Sequence, residues 1–369
     1  MKHSSILTII LLYMTFAACT SSNQENEITC NKILDFEITP MSITSSFVKQ
    51  IDYIPLEINA SAVFQGIDKI AIKNGLIYIG DFHKHGIFVY DMKGKYQFAI
   101  NQRGQGPGEY IEIKSFAVDN QYIYTIDNFK NQINIYDCQT GKFINSEKLP
   151  IVAWDIETLN NGDFIFAFVP LEGGTLKQKQ SNYRIFITDK KFHVKCSLFK
   201  YDKDYYDPIG QKTYFTTSDK YVVFGSYFFD GFTLFDRDNA ENYEFVGVEF
   251  EKKVPQKDKQ NIEERRKYQY ISGTPYLCKQ YVAMKIVEDK YIKSYLYNDS
   301  IHAFTLNSKA DAYNFLITPI GNYEDKYIAQ ISSFEQYNNL TKAGFPKADF
   351  DVEKNLREEG YVLVIYTMN

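Results

Sequence analysis

Three short stretches gather the residue types that can do chemistry. In "HKH", His83 and His85 are imidazoles at i and i+2, a spacing that points both the same way in an extended segment and suits a shared metal ion. No third ligand is placed by spacing, so the competing reading is a turn with solvated imidazoles, and no metal is assigned. "YDKDYYDP", Tyr201–Pro208, sets aspartates among aromatic rings. It lacks the D-x-[DN]-x-[DN]-G spacing of a calcium loop. Tyr205, Tyr206 and Asp207 would instead suit a sugar, with rings on its apolar face and a carboxylate on its hydroxyls; a solvated loop is the alternative. In "NQRGQGPGEY", Asn101–Tyr110, the glycines Gly104, Gly106 and Gly108 lie between Arg103 and Glu109. Successive backbone N–H groups beside Arg103 would form an anion nest. The competing reading is a structural linker in which Glu109 pairs with Arg103.

Weaker candidates surround these. The lone Trp154 suits either an aromatic platform lining a pocket or core packing. "EERRKYQY", from Glu263, reads as a short helix with Glu–Lys pairs across a turn, either a solvated face or a contact for an acidic partner. "DSI" at Asp299 resembles an O-glycosylation acceptor. No G-x-S-x-G elbow, P-loop, HExxH or dinucleotide fingerprint occurs, so neither a reaction nor a cofactor is assigned.

The elements that must position these residues repeat. "GIFVYD" ends at Asp91 and "QINIYD" at Asp137, 46 residues apart, which aligns Asp81 with Asp127. The same alternating run recurs before Asp189, Asp236 and Asp299, and a last copy, "YVLVIYT", closes the chain. Alternation over about six residues followed by a turn marks a half-buried strand. Around the copies, further strand-like runs give four per unit, as in "KIAIK", "LIYIG", "GIFVY" and "YQFAI". Four antiparallel strands every 40–50 residues or so predict an all-β, six-bladed β-propeller. The 30 Tyr and 29 Phe fit a strand-rich chain. The last unit lacks an outer strand, and "SFVKQIDYIPLEI", Ser46–Ile58, is expected to supply it and close the ring.

Strand order sorts the loops. With strands a–d in each blade, a–b and c–d turns share one face, and b–c turns and d–a connections share the other. The first set is short and rich in Asn, Asp and Gly. The long tracts from Val169, Lys200 and Glu251, and the insertion between Ser332 and Gly360, all fall on the second face, which is therefore the expected binding face. His83, His85, the Arg103–Glu109 loop, Asp127, Trp154 and Tyr205–Asp207 are its candidate residues.

The chain begins with Lys2 and an apolar run from Ile6 to Ala18, too short to span a bilayer comfortably, and then "FAAC" leads into Cys19. This predicts a signal peptide over 1–18, a lipidated Cys19 with a polar tether over 19–45, and a propeller over 46–369. Cys30, Cys138, Cys196 and Cys278 show no CxxC pair and imply neither zinc nor a disulfide framework. The net charge of −5 argues against nucleic acid as a partner.

With the Cys19 pattern, "IDYIPLE" (Ile51–Glu57), "GQGPGEY" (Gly104–Tyr110), "NDSIHAF" (Asn298–Phe304) and the terminal "YVLVIYTMN", the chain resembles the six-bladed β-propeller lipoproteins of Bacteroidetes, related in architecture to NHL-repeat propellers. The resemblance implies the fold and a place at the cell envelope, in the outer membrane and facing the surface, and it brings no catalytic set. The expected function is a monomeric, lipid-anchored binding module, alone or within an envelope complex, for a glycan, a peptide or an envelope protein, touching the membrane only through its anchor. The alternative is a lyase or hydrolase with its site at the channel mouth of the same face.

Overall fold

Strand-forming runs of Ile, Val, Phe and Tyr, cut by Asn, Asp and Gly turns, fold into six sheets in the computed structural model. It describes residues 30–36, 48–168, 183–201, 211–227, 229–298, 302–305, 317–342 and 344–369. Cys19, the loop carrying Tyr205, Tyr206 and Asp207, and the "DSI" turn lie outside them.

Blade 1 comprises strands a–d at Lys69–Lys73, Leu76–Asp81, Gly86–Asp91 and Tyr96–Ile100. Blade 2 follows at Phe116–Val118, Tyr122–Asp127, Gln132–Asp137 and Phe143–Lys148. Blade 3 runs through Asp155–Thr158, Phe164–Ala167, Tyr183–Thr188 and Val194–Lys200. Blade 4 uses Phe215–Thr217, Tyr221–Gly225, Gly231–Asp236 and Tyr243–Glu249. In blade 5, strand a is split into Tyr270–Ile271 and Tyr276–Cys278, followed by Tyr281–Glu288, Tyr291–Asn298 and His302–Thr305. Blade 6 has Gly321–Tyr323, Lys326–Ile331 and Val362–Met368. The a strands of successive blades touch all the way round, blade 6 meeting blade 1, so they surround a central axis.

The repeated aspartate has a local cause. Asp91 Oδ1 accepts the N–H groups of Lys93 and Lys95, and Asp137 Oδ1 those of Gln139 and Thr140. Asp189 and Asp236 do the same for their own c–d turns. A short acceptor side chain fixes each hairpin without distant help. Between blades, buried tyrosines add polar anchors: the Tyr78 hydroxyl donates to the Cys138 carbonyl of blade 2 at 2.9 Å, and Tyr327 donates to the Tyr276 and Tyr281 carbonyls of blade 5. A ring fills the interface and its hydroxyl satisfies a backbone acceptor at the rim. The cysteines at 30, 138, 196 and 278 are free.

Ring closure follows the expected route. Val48–Pro55 pairs antiparallel with Val362–Met368 as strand d of blade 6, placing Ile51 opposite Tyr366 and Ile54 opposite Leu363. The insertion between strands b and c of this blade carries two helices, α1 (Phe334–Lys342) and α2 (Phe350–Arg357). They clasp the closing strand: Tyr53 donates to the Pro346 carbonyl, and Asn355 to that of Leu56. "EERRKYQY" overlaps a single helical turn, Ile262–Arg265, with Lys267 on Glu264 at 2.7 Å.

One expectation is corrected. Within the tract read as a polar tether over 19–45, Cys30–Asp35 is a strand that adds in parallel to strand d of blade 4. Leu34 and Phe36 are buried there, Phe36 packing edge-on against Tyr295. Two apolar side chains in a groove supplied by blades 4 and 5 outweigh the polar composition around them.

A chain beginning at Val48 is expected to keep a closed ring and one cooperative thermal transition, with stability lowered by ~3–5 kcal/mol for the lost burial of Leu34 and Phe36. A chain beginning at Asn59 leaves the last strand as an open edge and is expected to aggregate on size exclusion. A monomeric, cooperatively folded Asn59 chain would refute the closure role.

Candidate functional site

The residue opening strand a, or just before it, faces the axis in three successive blades. Lys69, Ser115 and Asp155 hold this position, with backbone pairings to Gly80, Ile126 and Ala167. Their side chains meet. Lys69 Nζ lies 2.8 Å from Asp155 Oδ1 and 2.7 Å from Glu157 Oε1, and also donates to Ser115 Oγ and to the Ile156 carbonyl. Ser115 donates to Asp155 Oδ1 at 2.5 Å, while Asp155 Oδ2 accepts the N–H groups of Tyr214 and Phe215 in blade 4. The cluster is buried, Lys69 being 7% and Asp155 0% exposed. Burial alone would lower the Lys69 ammonium, but the charges of Asp155 and Glu157 outweigh it and hold it above the ordinary lysine value. For Glu157, burial dominates and pushes the carboxyl up despite Lys69. This cluster knits four blades and narrows the axis to a neck of about 20 Å³, lined by Lys69, Glu157, Thr216 and Tyr276 among others. That is room for about one water.

Each side of the neck opens into a mouth. The one on the short-turn face, about 360 Å³, is lined by Lys73, Glu157, Asp219, Arg237 and Glu324 among others. Its Arg237 guanidinium donates to the carbonyls of Ser218 and Thr158. The mouth on the long-loop face is a deep cleft of about 460 Å³ between blades 4, 5, 6 and the start of blade 1.

The cleft exists because strand a of blade 5 is broken. "SGTP", Ser272–Pro275, carries Gly273 at φ 91° and Pro275, which has no N–H to give to a ladder. Strand b therefore pairs with strand a at Ala283 and again at Ile286, and Met284 and Lys285 between them line the cleft. The break leans on blade 4, Thr274 donating to the Tyr214 carbonyl and Thr216 to that of Pro275.

The cleft's polar groups are unevenly satisfied. Asp68 is occupied: Oδ1 holds Lys212 Nζ, and Oδ2 accepts the Phe82 N–H. Ser294 and Thr318 share a 2.6 Å hydrogen bond. Gln211 is half-buried with both amide atoms buried and without a partner, and Gln330 Oε1 is likewise buried and unpaired. Lys285 is exposed and has no ion pair among the described residues, yet partial burial lowers its ammonium below the ordinary lysine value. Unpaired buried polar atoms cost about 1–3 kcal/mol each, and three of them gather in this cleft.

The residues singled out in the sequence lie elsewhere on this face. In Asn101–Tyr110 the anion on the amides is the chain's own: Gly106 N–H donates to Glu109 Oε2 at 2.8 Å, and a Cβ on Gly104 would collide with that carboxylate. Arg103 donates to the Ile111 carbonyl and is not the partner of Glu109. Gly108, at φ 78°, packs on the Phe143 ring, and the Tyr110 hydroxyl reaches the His85 carbonyl. The loop is a self-satisfied linker between blades 1 and 2, which corrects the nest reading. Asp127 is buried, accepting the N–H groups of Ile111 and Lys130, as Asp81 accepts those of Gln65 and Lys84. Both aspartates are clasps between a b–c turn and the preceding connection. His83 is exposed; His85 is half-buried, with burial and the charge of Arg103 lowering its imidazole. No cluster of potential metal ligands forms among the described residues. Trp154 stands at the axis end of blade 3 under the Lys114 ammonium, 3.8 Å from the ring centroid, and does not line the cleft. Gln211, Lys285 and Gln330 were missed; the available signal was Gly and Pro inside what should be an innermost strand.

Over residues 20–337 the chain matches the 6-bladed beta-propeller family DUF5128. The chain belongs to this family. Among solved structures it is similar to a protein of Bacteroides fragilis NCTC 9343 described as exported, with 18% identity and a TM-score of 0.73 over 92% of this chain and 100% of that one. A duf4221 family member from Bacteroides vulgatus ATCC 8482 aligns at 11% identity and TM-score 0.46, over 87% of this chain and 97% of that one. No curated protein matches the sequence. The identities are too low to carry more than the fold.

Lys69→Met should strand Asp155 and Glu157 without counter-charge and lower stability by ~3–5 kcal/mol near neutral pH, read from urea unfolding. The Glu157 carboxyl, whose folded pKa is raised, penalises the fold only while charged, so the deficit should shrink as pH falls through its titration. A pH-independent deficit would sink the ion-pair assignment. Separately, a lowered ammonium leaves more free amine at about pH 8, so acylation followed by peptide mapping should modify Lys285 ahead of the exposed Lys93. Equal or slower labelling at Lys285 would contradict the environment described.

Proposed function

We propose that this propeller is an exported, lipid-anchored binding protein of the cell envelope, and that the axial cleft on the long-loop face receives a small polar ligand. The observation that carries the reading is the cleft, about 460 Å³ and holding the unpaired amide of Gln211 and the unpaired amide oxygen of Gln330. Its size lies within the range of ligand sites, and its position at the mouth of a β-fold is a common one for them. Export and anchoring are supported by the apolar run ending at Cys19 and by the description of the Bacteroides fragilis neighbour as exported. No helix among the described residues is long and apolar enough to cross a membrane.

Binding is favoured over a lyase or hydrolase by the state of the cleft's charges. Acid–base work needs partners with separated proton affinities within reach of one substrate. Among the described residues, the cleft's carboxylate, Asp68, is held by Lys212 and the Phe82 amide, and Lys285 faces no base.

The test uses the soluble chain from Thr20 and thermal unfolding against panels of neutral sugars, acidic sugars and short peptides. A ligand at 100 times its Kd adds about 2.7 kcal/mol to the folded state. Ile292→Trp, at an exposed position on the cleft wall, should abolish any shift while preserving the unliganded Tm. Shifts that survive this blockade would move binding away from the cleft. Fatty-acid labelling lost in Cys19→Ala tests the anchor, and unchanged labelling would refute it.

A further inference from the structure

We propose that the ligand of the axial cleft is a monocarboxylated polyol, a uronic acid or a chain end bearing one, with its carboxylate on Lys285 and its hydroxyls on Gln211 and Gln330. This rests on the reading of the cleft as a ligand site and names the chemistry of what enters it. Three observations lead there by elimination.

The first is charge. Among the described residues, the charged groups lining the cleft are Asp68, Lys212 and Lys285. Asp68 and Lys212 pair with each other, so among these residues one positive charge is left uncompensated, at Lys285. An anion beside an ammonium gains more the less water stands between them. One cation matches one negative charge, which favours a carboxylate over a phosphate ester carrying nearly two.

The second is hydrogen bonding. Gln211 presents an unpaired donor and an unpaired acceptor, and Gln330 an unpaired acceptor. A bare inorganic anion brings acceptors alone and would leave both amide oxygens unmet. The ligand must supply donors as well, as sugar hydroxyls do. An amino acid also brings donors, but its ammonium needs a free carboxylate, and among the described residues the cleft's one carboxylate, Asp68, is taken by Lys212 and by the Phe82 N–H.

The third is shape. Gln211 reaches the broken strand, its Oε1 3.8 Å from where a Cβ on Gly273 would stand. The amide at the blade 3–4 connection thus lies against the same break that uncovers Lys285 on strand b of blade 5. Tyr227, whose hydroxyl is 3.4 Å from Ser272 Oγ, and Tyr276 add aromatic surface to the lining, suited to the apolar face of a sugar ring.

The experiment is titration calorimetry on the chain from Thr20 with D-galacturonate and D-glucuronate, their neutral counterparts D-galactose and D-glucose, inorganic phosphate, and L-alanine. At least one acid should bind 10-fold or more tighter than its neutral counterpart. Lys285→Met should reduce that acid to the level of the neutral sugar and leave the neutral sugar unchanged, while Lys285→Arg should restore part of the preference. The bound acid should also slow acylation of Lys285, since an opposite charge favours the protonated amine. Acid affinity should fall as pH rises through the lysine's titration in the wild-type chain, and stay flat in Lys285→Met. Equal binding of acid and neutral sugars, blocked by Ile292→Trp and indifferent to Lys285→Met, would overturn the carboxylate assignment and leave the cleft as a ligand site. Tighter binding of phosphate or alanine than of every uronate would also overturn it. If no acid or neutral sugar binds, this proposal fails, and the peptide arm of the unfolding panel decides separately whether the cleft binds anything.

Discussion

The pairing of Val48–Pro55 with Val362–Met368 is the constraint on which the molecule depends. A propeller has no axis until its last blade meets its first, and here that blade is assembled from both ends of the chain. The backbone ladder between the two strands is reinforced by α1 and α2, whose connecting segment and second helix supply the Pro346 and Asn355 contacts. Tyr366 packs on Val352 and Leu356 within the last blade itself, while the cluster that joins Ile54 and Leu56 to Ile77 and Ile79 lies between the last blade and the first and exists only once the ring is shut. Only then do the a strands converge and put Lys69, Ser115 and Asp155 within reach of one another.

What was legible in the sequence was what local chemistry fixes. Asp91, Asp137, Asp189 and Asp236 advertise their turns because each carboxylate bonds amides two to four residues away. Alternation announces strands for the same reason, since the period of two is a property of the backbone. Cys30–Asp35 was illegible because its order comes from a groove more than 200 residues distant: Leu34 and Phe36 gain nothing until blades 4 and 5 exist. The cleft was hidden for a related reason. Lys285 sits in "VAMKIVE" like any outward-facing lysine in an alternating strand, and its surroundings are set by the gap that Gly273 and Pro275 make in the neighbouring strand.

Asn101–Tyr110 and Ser272–Pro275 are both glycine- and proline-containing breaks in a β-rich chain, yet they end in opposite states. In the first, the loop consumes its own polarity: Glu109 takes the Gly106 amide, Lys130 donates to the Glu109 carbonyl, and Tyr136 to that of Gly108. The glycines serve close approach to the Phe143 ring and the Glu109 carboxylate. In the second, the break interrupts an innermost strand, and the polar groups around it come from three places, Gln211 before blade 4, Lys285 on the next strand of blade 5 and Gln330 in blade 6, with no hydrogen bond joining them. Composition alone flags both segments; only the tally of met and unmet hydrogen bonds separates a linker from a site.

The Lys69 cluster gives the cleft its polarity as a container. With Asp155 and Glu157 against one ammonium, and Asp155 further held by the amides of Tyr214 and Phe215, the neck is sealed by groups that satisfy one another. The neck has room for about one water, so nothing larger passes between the mouths. The mouths also differ in charge among the described residues: basic and acidic groups balance on the short-turn side, while Lys285 stands in excess on the other. Partial burial depresses the Lys285 ammonium, and the same exclusion of water strengthens its attraction to any anion that approaches it.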